Sequence, residues 1–421
     1  MDKLVIEGGV PLSGNIRISG AKNSCLPILA ATLLTDDRCV IRNVPDLKDI
    51  YTMIEILRSF GCKVTKTGNT VEVAQGGIKN VIAAYELVST MRASISVLGP
   101  LVSRYGEAKV SFPGGCVIGP RPIDLHLKGL KALGAKIRIE EGYILAEGKE
   151  LKGSRVYLGG HFGSSVLATA NILMTAVLTK GETVIENAAC EPEVLDLSAF
   201  LVKMGAEIEG AGTPTIRVRG VKCLKGAEHE VIPDRIESGT YMITAVATNS
   251  RLFIENAIIE HNLALVDKLT ESGGRIEEKP GGVEISRETD RVQAVDVTTL
   301  TYPGFPTDLQ AQMMSLVTVS SGISVITEKI YPERFIHISE LNRMGAEIIL
   351  EGSTSIIKGV NKLSGARVMA SDLRASAALV LAGLVAEGKT EISRIYHLDR
   401  GYEHIEDKLS AVGAKVLRVK E

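Results

Sequence analysis

Two groups of residues in this chain have types and spacings that chemistry needs. The first is a cysteine in a shaped loop, Phe112-Pro-Gly-Gly-Cys116-Val-Ile-Gly-Pro-Arg121-Pro122-Ile123-Asp124-Leu125-His126. Gly114, Gly115 and Gly119 permit φ > 0, while Pro113, Pro120 and Pro122 fix φ. The stretch is therefore predicted as a loop between a strand at 108–111 and a helix starting near Leu125. A thiol here either faces a ligand or is an incidental residue of a turn, because free cysteine is more often buried and inert. The second group is a set of polar clusters just ahead of six apolar helical segments. They read Gly20-Ala-Lys22-Asn23-Ser24, Thr90-Met-Arg92-Ala-Ser94, Phe162-Gly-Ser164-Ser165, Asp234-Arg235-Ile-Glu237-Ser238, Phe305-Pro-Thr307-Asp308 and Ser371-Asp372-Leu-Arg374-Ala-Ser376.

Helix N-termini carry unpaired N–H groups and the positive end of the dipole, so they attract anions. Ser, Thr, Asn and Asp are also ordinary N-caps, and capping accounts for Ser24, Ser94 and Ser376. Capping does not account for the cations Lys22, Arg92, Arg121, Arg374 and Arg400, since a cation opposes the dipole unless an anion balances it. The clusters thus predict a site for phosphate and carboxylate groups. Asp308 is either a base facing that site or one more cap.

The elements that must position these residues form a repeat. Leu-x-x-x-Gly-x-x-apolar occurs at Leu57/Gly61, Leu130/Gly134, Leu201/Gly205, Leu269/Gly273, Leu341/Gly345 and Leu409/Gly413, with the glycines 73, 71, 68, 72 and 68 residues apart. Each glycine reads as the left-handed residue that ends a helix, and the apolar alternation after it reads as a strand, often followed by a second. Out of phase with these lie helices rich in small apolar residues, at 26–34, 94–102, 166–178, 239–248, 309–320 and 375–386, which predict burial on all sides. Each leads into a strand, such as 183–186, 251–255 or 390–393. Each unit of about 70 residues is expected to run helix–strand–helix–strand–strand, and six units form two groups of three. The polar stretch 227–233 is predicted as the seam, and the strand Lys3–Glu7 as completing the second group.

Bulk properties exclude several classes. With aromatics at 4% and no Trp, base stacking is poorly served, and a net charge of −2 gives no basic field, so no nucleic acid is expected. The longest apolar runs fall short of the ~20 residues that span a bilayer, so no membrane partner is expected either. The N-terminus has no basic and apolar leader pattern. The six cysteines (25, 39, 62, 116, 190, 223) lack CxxC spacing, and the histidines show no HExxH. Reduced thiols in a cytoplasmic protein, no metal and no cofactor are the expectations. The pattern fixes no oligomeric state.

Gly20-Ala-Lys22-Asn23, Met91-Arg92-Ala-Ser94, Gly114-Gly-Cys116-Val-Ile-Gly119-Pro-Arg121-Pro122, Glu191-Pro-Glu193, Asp234-Arg235, Phe305-Pro-Thr-Asp308, Asp372-Leu-Arg374-Ala-Ser and Asp399-Arg400-Gly-Tyr402-Glu403 carry a resemblance over essentially the whole chain. In these motifs it resembles the UDP-N-acetylglucosamine enolpyruvyl transferases of the EPSP synthase superfamily. The resemblance implies an α/β fold of two inside-out, barrel-like domains, each of three βαβαββ repeats. It places one domain at 22–232, carrying the Cys116 loop, and the other at 1–21 plus 233–421, carrying Asp308, Arg374 and Arg400. The activity it implies is transfer of the enolpyruvyl group of phosphoenolpyruvate to the 3′-hydroxyl of UDP-N-acetylglucosamine, a committed step of peptidoglycan synthesis and hence of cell shape and division.

By the same resemblance, Lys22, Arg92, Arg121 and Arg400 surround phosphoenolpyruvate, with Asp372 and Arg374 in the reactive region. Asn23 holds the sugar and the intermediate. Pro122, Ile123, Asp124, Leu125, Ser165, Val166 and Ile330 line the nucleotide. Cys116 or Lys22 is the general acid, Asp308 takes the proton of the sugar hydroxyl, and Cys116 is the target of fosfomycin. Two positions depart from the family pattern: Leu167 stands where many members have Gly in a Ser-Val-Gly turn, and Ser96 where Trp is frequent. The rival readings are a shikimate-type enolpyruvyl transferase and an inactive nucleotide-binding paralogue.

Overall fold

The six Leu-x-x-x-Gly signatures end six helices in the computed structural model, which describes residues 2–74, 76–114 and 123–420. The glycines have φ between +93° and +112°, where a Cβ is costly. The leucine of the signature has a second task in the main chain. The N–H of the residue after glycine donates to its carbonyl: Cys62 to Leu57 (3.2 Å), Ala135 to Leu130 (3.0 Å), Ala206 to Leu201 (3.0 Å), Ala346 to Leu341 (3.1 Å) and Ala414 to Leu409 (3.0 Å). This closes the last turn and satisfies carbonyls that would otherwise be orphaned.

The described residues form six four-stranded sheets, one per repeat, and each has a strand more than the repeat predicted. The extra strand is short and runs parallel to the strand that follows the buried helix. In the second, third, fifth and sixth repeats it is Ile82–Ala83, Arg155–Tyr157, Val297–Thr298 and Arg367–Met369. Each repeat thus reads βαβαββ. The first and fourth repeats borrow this strand from elsewhere in the chain. Glu228–Glu230 pairs with Cys39–Arg42, matching His229 to Ile41. Ser13–Arg17 pairs with Arg251–Glu255, matching Ile16 to Ile254. The stretch at 227–233 holds an edge strand with a buried histidine, and the two compact units divide within it, between Ile232 and Pro233.

The sixth sheet is closed by the N-terminus. Asp2–Glu7 lies between Lys389–Ser393 and Lys415–Lys420, with Leu4 opposite both Ile392 and Arg418. It fills the place that the second hairpin strand takes in other repeats. Two compact units result, one of residues 20–114 with 123–232, the other of residues 2–19 with 233–420. Each has its own apolar core.

Within each unit the small-residue helices are buried nearly all round, as in Lys22–Ala31, Val166–Ala176, Arg235–Ala247 and Leu373–Val385. Their hydroxyls are satisfied internally, with Thr175 donating to the Asn171 carbonyl (2.7 Å), Thr240 to Ile236 (2.8 Å) and Thr244 to Thr240 (2.8 Å). Backbones approach closely between them. A Cβ on Gly99 would lie 2.4 Å from the Asn171 carbonyl oxygen. Gly114 has no positive φ, and it is likewise a close-approach residue, since its Cβ would stand 2.1 Å from the Ser89 carbonyl oxygen.

Candidate active site

Two groups of buried charge stand at helix starts, one in each compact unit. In the unit of residues 20–232, Lys22 opens the helix Lys22–Ala31. The chain enters it through Gly20, where a Cβ would sit 1.7 Å from the Asn43 carbonyl oxygen, and the Ala21 N–H donates to the Ile232 carbonyl (2.7 Å). Lys22 is 7% exposed, and its Nζ lies 3.2 Å from Oδ2 of Asp49, on the helix Lys48–Phe60. The anion that balances this cation against the dipole is thus a protein carboxylate, which the sequence reading missed.

Ser24 is not a cap. It lies inside the first turn, and its hydroxyl donates to Asp196 of the helix Pro192–Lys203. Asp196 also pairs with Nε2 of His229 (2.8 Å), whose Nδ1 faces the Lys203 ammonium (3.2 Å). Because an ammonium only donates, Nδ1 is the acceptor and the Nε2–H donates to Asp196. This buried chain fastens the Lys22 helix to the strand that closes its sheet. Ser94 and Ser376 are not caps either. Their hydroxyls donate to the carbonyls of Met91 (2.6 Å) and Asp372 (2.6 Å). In buried helices a hydroxyl finds a preceding carbonyl nearer than a free N–H. The side-chain caps are instead Ser165, which accepts from the Ala168 N–H (3.3 Å), and the aspartates Asp234 and Asp372.

Arg92 begins the 3₁₀ helix Arg92–Val97 and is half-buried, as is Asn23 on the Lys22 helix. Burial, with the Arg92 charge adding to it, pushes His126 down to about 3, so it is neutral. Its Nδ1 accepts from the Asn171 amide (2.8 Å), which also donates to the Ile95 carbonyl (2.9 Å), while Asn171 Oδ1 accepts from the Gly99 N–H (2.9 Å). Asn171 thereby fixes the start of the helix Asp124–Ala132 against the Arg92 segment. Of the expected nucleotide contacts here, Ile123 and Leu125 are buried and Asp124 is exposed. Ser165 and Val166 are half-buried at a helix start, so Leu167 lies in a first helical turn and needs no left-handed φ. Ser96 is fully buried. Cys116, Arg121 and Pro122 lie outside the described residues.

The unit of residues 2–19 and 233–420 brings Asp308, Asp372 and Arg374 together. Asp308 lies in the 3₁₀ turn Thr307–Leu309 and caps nothing. Its Oδ2 accepts from Arg374 Nη2 (2.9 Å) and its Oδ1 from Arg334 Nη1 (2.8 Å). Burial opposes its charge, but the Arg374 and Arg334 guanidiniums overcome this and hold the carboxyl well below the usual range. Arg374 sits in the first turn of Leu373–Val385, whose cap Asp372 accepts from the Arg374 and Ala375 N–H groups (2.9 and 3.1 Å). Its guanidinium lies over the Tyr402 ring, 5.4 Å from the centroid. Tyr402 in turn bonds Thr240 (2.8 Å) and Gln312 (3.0 Å), and Gln312 donates to the Asp308 carbonyl (2.9 Å). Arg400 ends the 3₁₀ helix Ile395–Arg400, half-buried and packed near the same helix as Arg374.

Arg334 was not legible as a site residue; it stands in none of the polar clusters ahead of the apolar helices, yet it is only 4% exposed. Its burial, like that of Arg374 at 2%, leaves donors over. Nε and Nη1 of Arg374 and Nε of Arg334 find no acceptor among the described residues. A buried N–H without a partner costs about 1–3 kcal/mol. The arrangement is therefore an ionised carboxylate between two guanidiniums with net positive charge and spare donors, which suits an anion beside a proton acceptor. Among the described residues no group of His, Cys, Asp and Glu is arranged to hold a metal, and no helix is long and apolar enough to cross a membrane.

Comparison with known proteins identifies the family of the chain. The family model described as EPSP synthase (3-phosphoshikimate 1-carboxyvinyltransferase) matches residues 6–409. The chain is 54% identical over 418 residues to the UDP-N-acetylglucosamine 1-carboxyvinyltransferase 1 of Caldanaerobacter subterraneus subsp. tengcongensis, covering 99% of each. It is 52% identical over 423 residues to the UDP-N-acetylglucosamine 1-carboxyvinyltransferase of Myxococcus xanthus, covering 100% of each. Among solved structures, the enolpyruvyl transferase NikO from Streptomyces tendae superposes with a TM-score of 0.90 at 25% identity, over 100% of this chain and 99% of that one. EPSP synthase from Acinetobacter baumannii, at 15% identity and a TM-score of 0.74 over 100% of each chain, shares the fold. The chain belongs to the EPSP synthase family and to the branch of it that these 1-carboxyvinyltransferases form.

Proposed function

We propose that the chain transfers the enolpyruvyl group of phosphoenolpyruvate to the 3′-hydroxyl of UDP-N-acetylglucosamine, releasing phosphate, as the first committed step of peptidoglycan synthesis in the cytoplasm. The observation that carries this reading is 54% identity along the whole chain to proteins named for that transfer. In it, Cys116 or Lys22 protonates the methylene carbon of phosphoenolpyruvate. The sugar oxygen attacks the adjacent carbon as Asp308 takes its proton, and the tetrahedral ketal expels phosphate while its methyl group gives a proton back to the acid of the first step, which restores the enolpyruvyl double bond. Lys22, Arg92, Arg121, Arg374 and Arg400 meet the phosphate and carboxylate charges. Asn23 holds the sugar, and Ile330 with the 122–125 and 165–166 segments holds the nucleotide.

The electrostatics of the Asp308 group support the role of Asp308. A carboxylate gripped by two guanidiniums is always ionised but is a weak base. An anionic substrate that engages the spare donors of Arg374 draws that charge away from Asp308 and raises its basicity when the proton must move. Fixed cations facing developing negative charge are commonly the largest catalytic contribution, with single donors worth about 10² to 10³ in rate.

Phosphate release from phosphoenolpyruvate tests the reading. Release with UDP-N-acetylglucosamine and none with shikimate 3-phosphate is expected. The description of the family model alone favours the second acceptor. Release only with shikimate 3-phosphate overturns the proposal, and binding of the sugar nucleotide without release with either identifies an inactive paralogue.

A further inference from the structure

Glu328 is fully buried and takes no part in the reaction just described. It follows the strand Ile323–Thr327 directly and gathers four donors. Its Oε1 accepts from the Thr299 hydroxyl (2.6 Å) and from the N–H groups of Ile330 (2.8 Å) and Tyr331 (2.9 Å). Its Oε2 accepts from the Thr307 hydroxyl (2.9 Å). These donors are neutral, and they come from three separate segments of chain.

Thr307 is the link to the chemistry. Its single proton goes to Glu328, so its oxygen is left to accept, and it accepts from Arg334 Nη1 (3.0 Å). The same Nη1 donates to Asp308 Oδ1 (2.8 Å). The order Glu328, Thr307, Arg334, Asp308 is therefore directional, with each member telling the next where its hydrogen must point. The other carboxylate oxygen holds the backbone of Ile330, a residue expected to touch the nucleotide.

We propose that Glu328 is a positioning residue, which locks the Ile330–Tyr331 backbone and the Thr307–Asp308 turn into one piece and so couples nucleotide contact to the placement of the base. The roles of Asp308 and Ile330 in this statement rest on the proposed function. Gln is the informative substitution. With its amide nitrogen in place of Oε2, two donors face each other, and Thr307 must turn its proton away, toward Arg334. With the amide reversed, its N–H₂ meets the three donors now held by Oε1. Either way the order of hydrogens fails, although shape and volume are kept.

The test uses the full-length protein and the variants Glu328→Gln, Thr307→Val and the double variant. Misplacing a reacting group by about 1 Å costs up to about 10²-fold. Glu328→Gln is expected to lower kcat for phosphate release about 10- to 10²-fold, with the KM for phosphoenolpyruvate little changed and that for the sugar nucleotide raised. In the Thr307→Val background it should add about threefold or less, since the path is already cut. A kcat within about threefold of the parent, or an equal loss in both backgrounds, overturns the proposal. Hydrogen exchange of the ligand-free protein reads the placement without turnover, and so decides it even where the proposed reaction is absent. Faster exchange at residues 307–309 and 330–331 is expected; unchanged exchange overturns the proposal. If Glu328→Gln does not fold, Thr299→Val, which removes one donor from Oε1, takes its place under the same criteria.

Discussion

Asn in place of Asp308 removes one negative charge and keeps the shape, so its consequences can be worked out from the geometry. The Arg334 and Arg374 side chains are 5% and 2% exposed, whereas 26% of the Asp308 side chain remains accessible. Removing one partner of a buried pair costs about 3–5 kcal/mol, and the partial access of Asp308 to water places this case at the lower end, about 3 kcal/mol. The sign with pH follows from the carboxyl being held below its usual range. Such a group contributes stability above its unfolded pKa of about 3.9, and loses it as pH falls through the lower folded value. The gap between parent and Asp308→Asn should therefore be flat from pH 5 to 8 and close only below about pH 4. Loss of a general base costs about 10² to 10⁴ in kcat. Urea unfolding at several pH values and continuous phosphate release measure the two effects. Inorganic phosphate should also stabilise the Asn variant more than the parent, because two guanidiniums then lack their counter-charge. A variant with more than about a tenth of the parent rate excludes the base role, and a gap that changes between pH 5 and 8 excludes the charge argument.

Further expectations follow from single contacts. Fosfomycin should alkylate Cys116 alone: Cys25, Cys39 and Cys62 are buried, burial pushes the Cys190 thiol up, and the exposed Cys223 has no anion site assigned to it; peptide mass mapping reads the adduct. Asp372→Ala should cost about 1 kcal/mol as a lost cap and lower activity through Arg374, while Asp372→Ser should recover most of the stability in the same urea titration. Gly20→Ala should lower both stability and activity, because its Cβ would stand 1.7 Å from the Asn43 carbonyl oxygen; circular dichroism melting and phosphate release would show it.

What was legible in the sequence shared one property: it depended on neighbours close in the chain. Leu57 and Gly61 meet across one helical turn, so the signature carries its own cause. The parallel strands Ile82–Ala83 and Val297–Thr298 were not legible, because two residues hold no period. Glu228–Glu230 and Ser13–Arg17 were hidden for another reason: their partners Cys39–Arg42 and Arg251–Glu255 lie far away in the chain. The serines misled because the composition of a helix start says nothing of depth. Ser94 and Ser376 are wholly buried, and a buried hydroxyl turns to the nearest carbonyl. Asp308 and Arg374 were legible as types in polar clusters, but that they are partners was not, and Arg334 stands in no cluster at all.

The cations at helix starts posed the question of which anion balances them, and the answer is the same in both units. Lys22 opens one helix and is met by Asp49; Arg374 lies in the first turn of another and is met by Asp308. In each case the carboxylate comes from a different element, so the charge is balanced by tertiary structure and not by the helix itself. Balance is incomplete at Arg374, whose Nε and Nη1 have no acceptor among the described residues. Any anion that binds there adds negative charge beside a carboxylate already ionised. By linkage, the affinity of that anion and the proton affinity of Asp308 must rise together. A fully paired arginine would bind the anion weakly, and a fully free one would leave Asp308 unchanged by binding. The half-paired state makes the Asp308 carboxylate responsive to a bound anion, so anion affinity measured against pH should rise as that carboxyl takes up a proton.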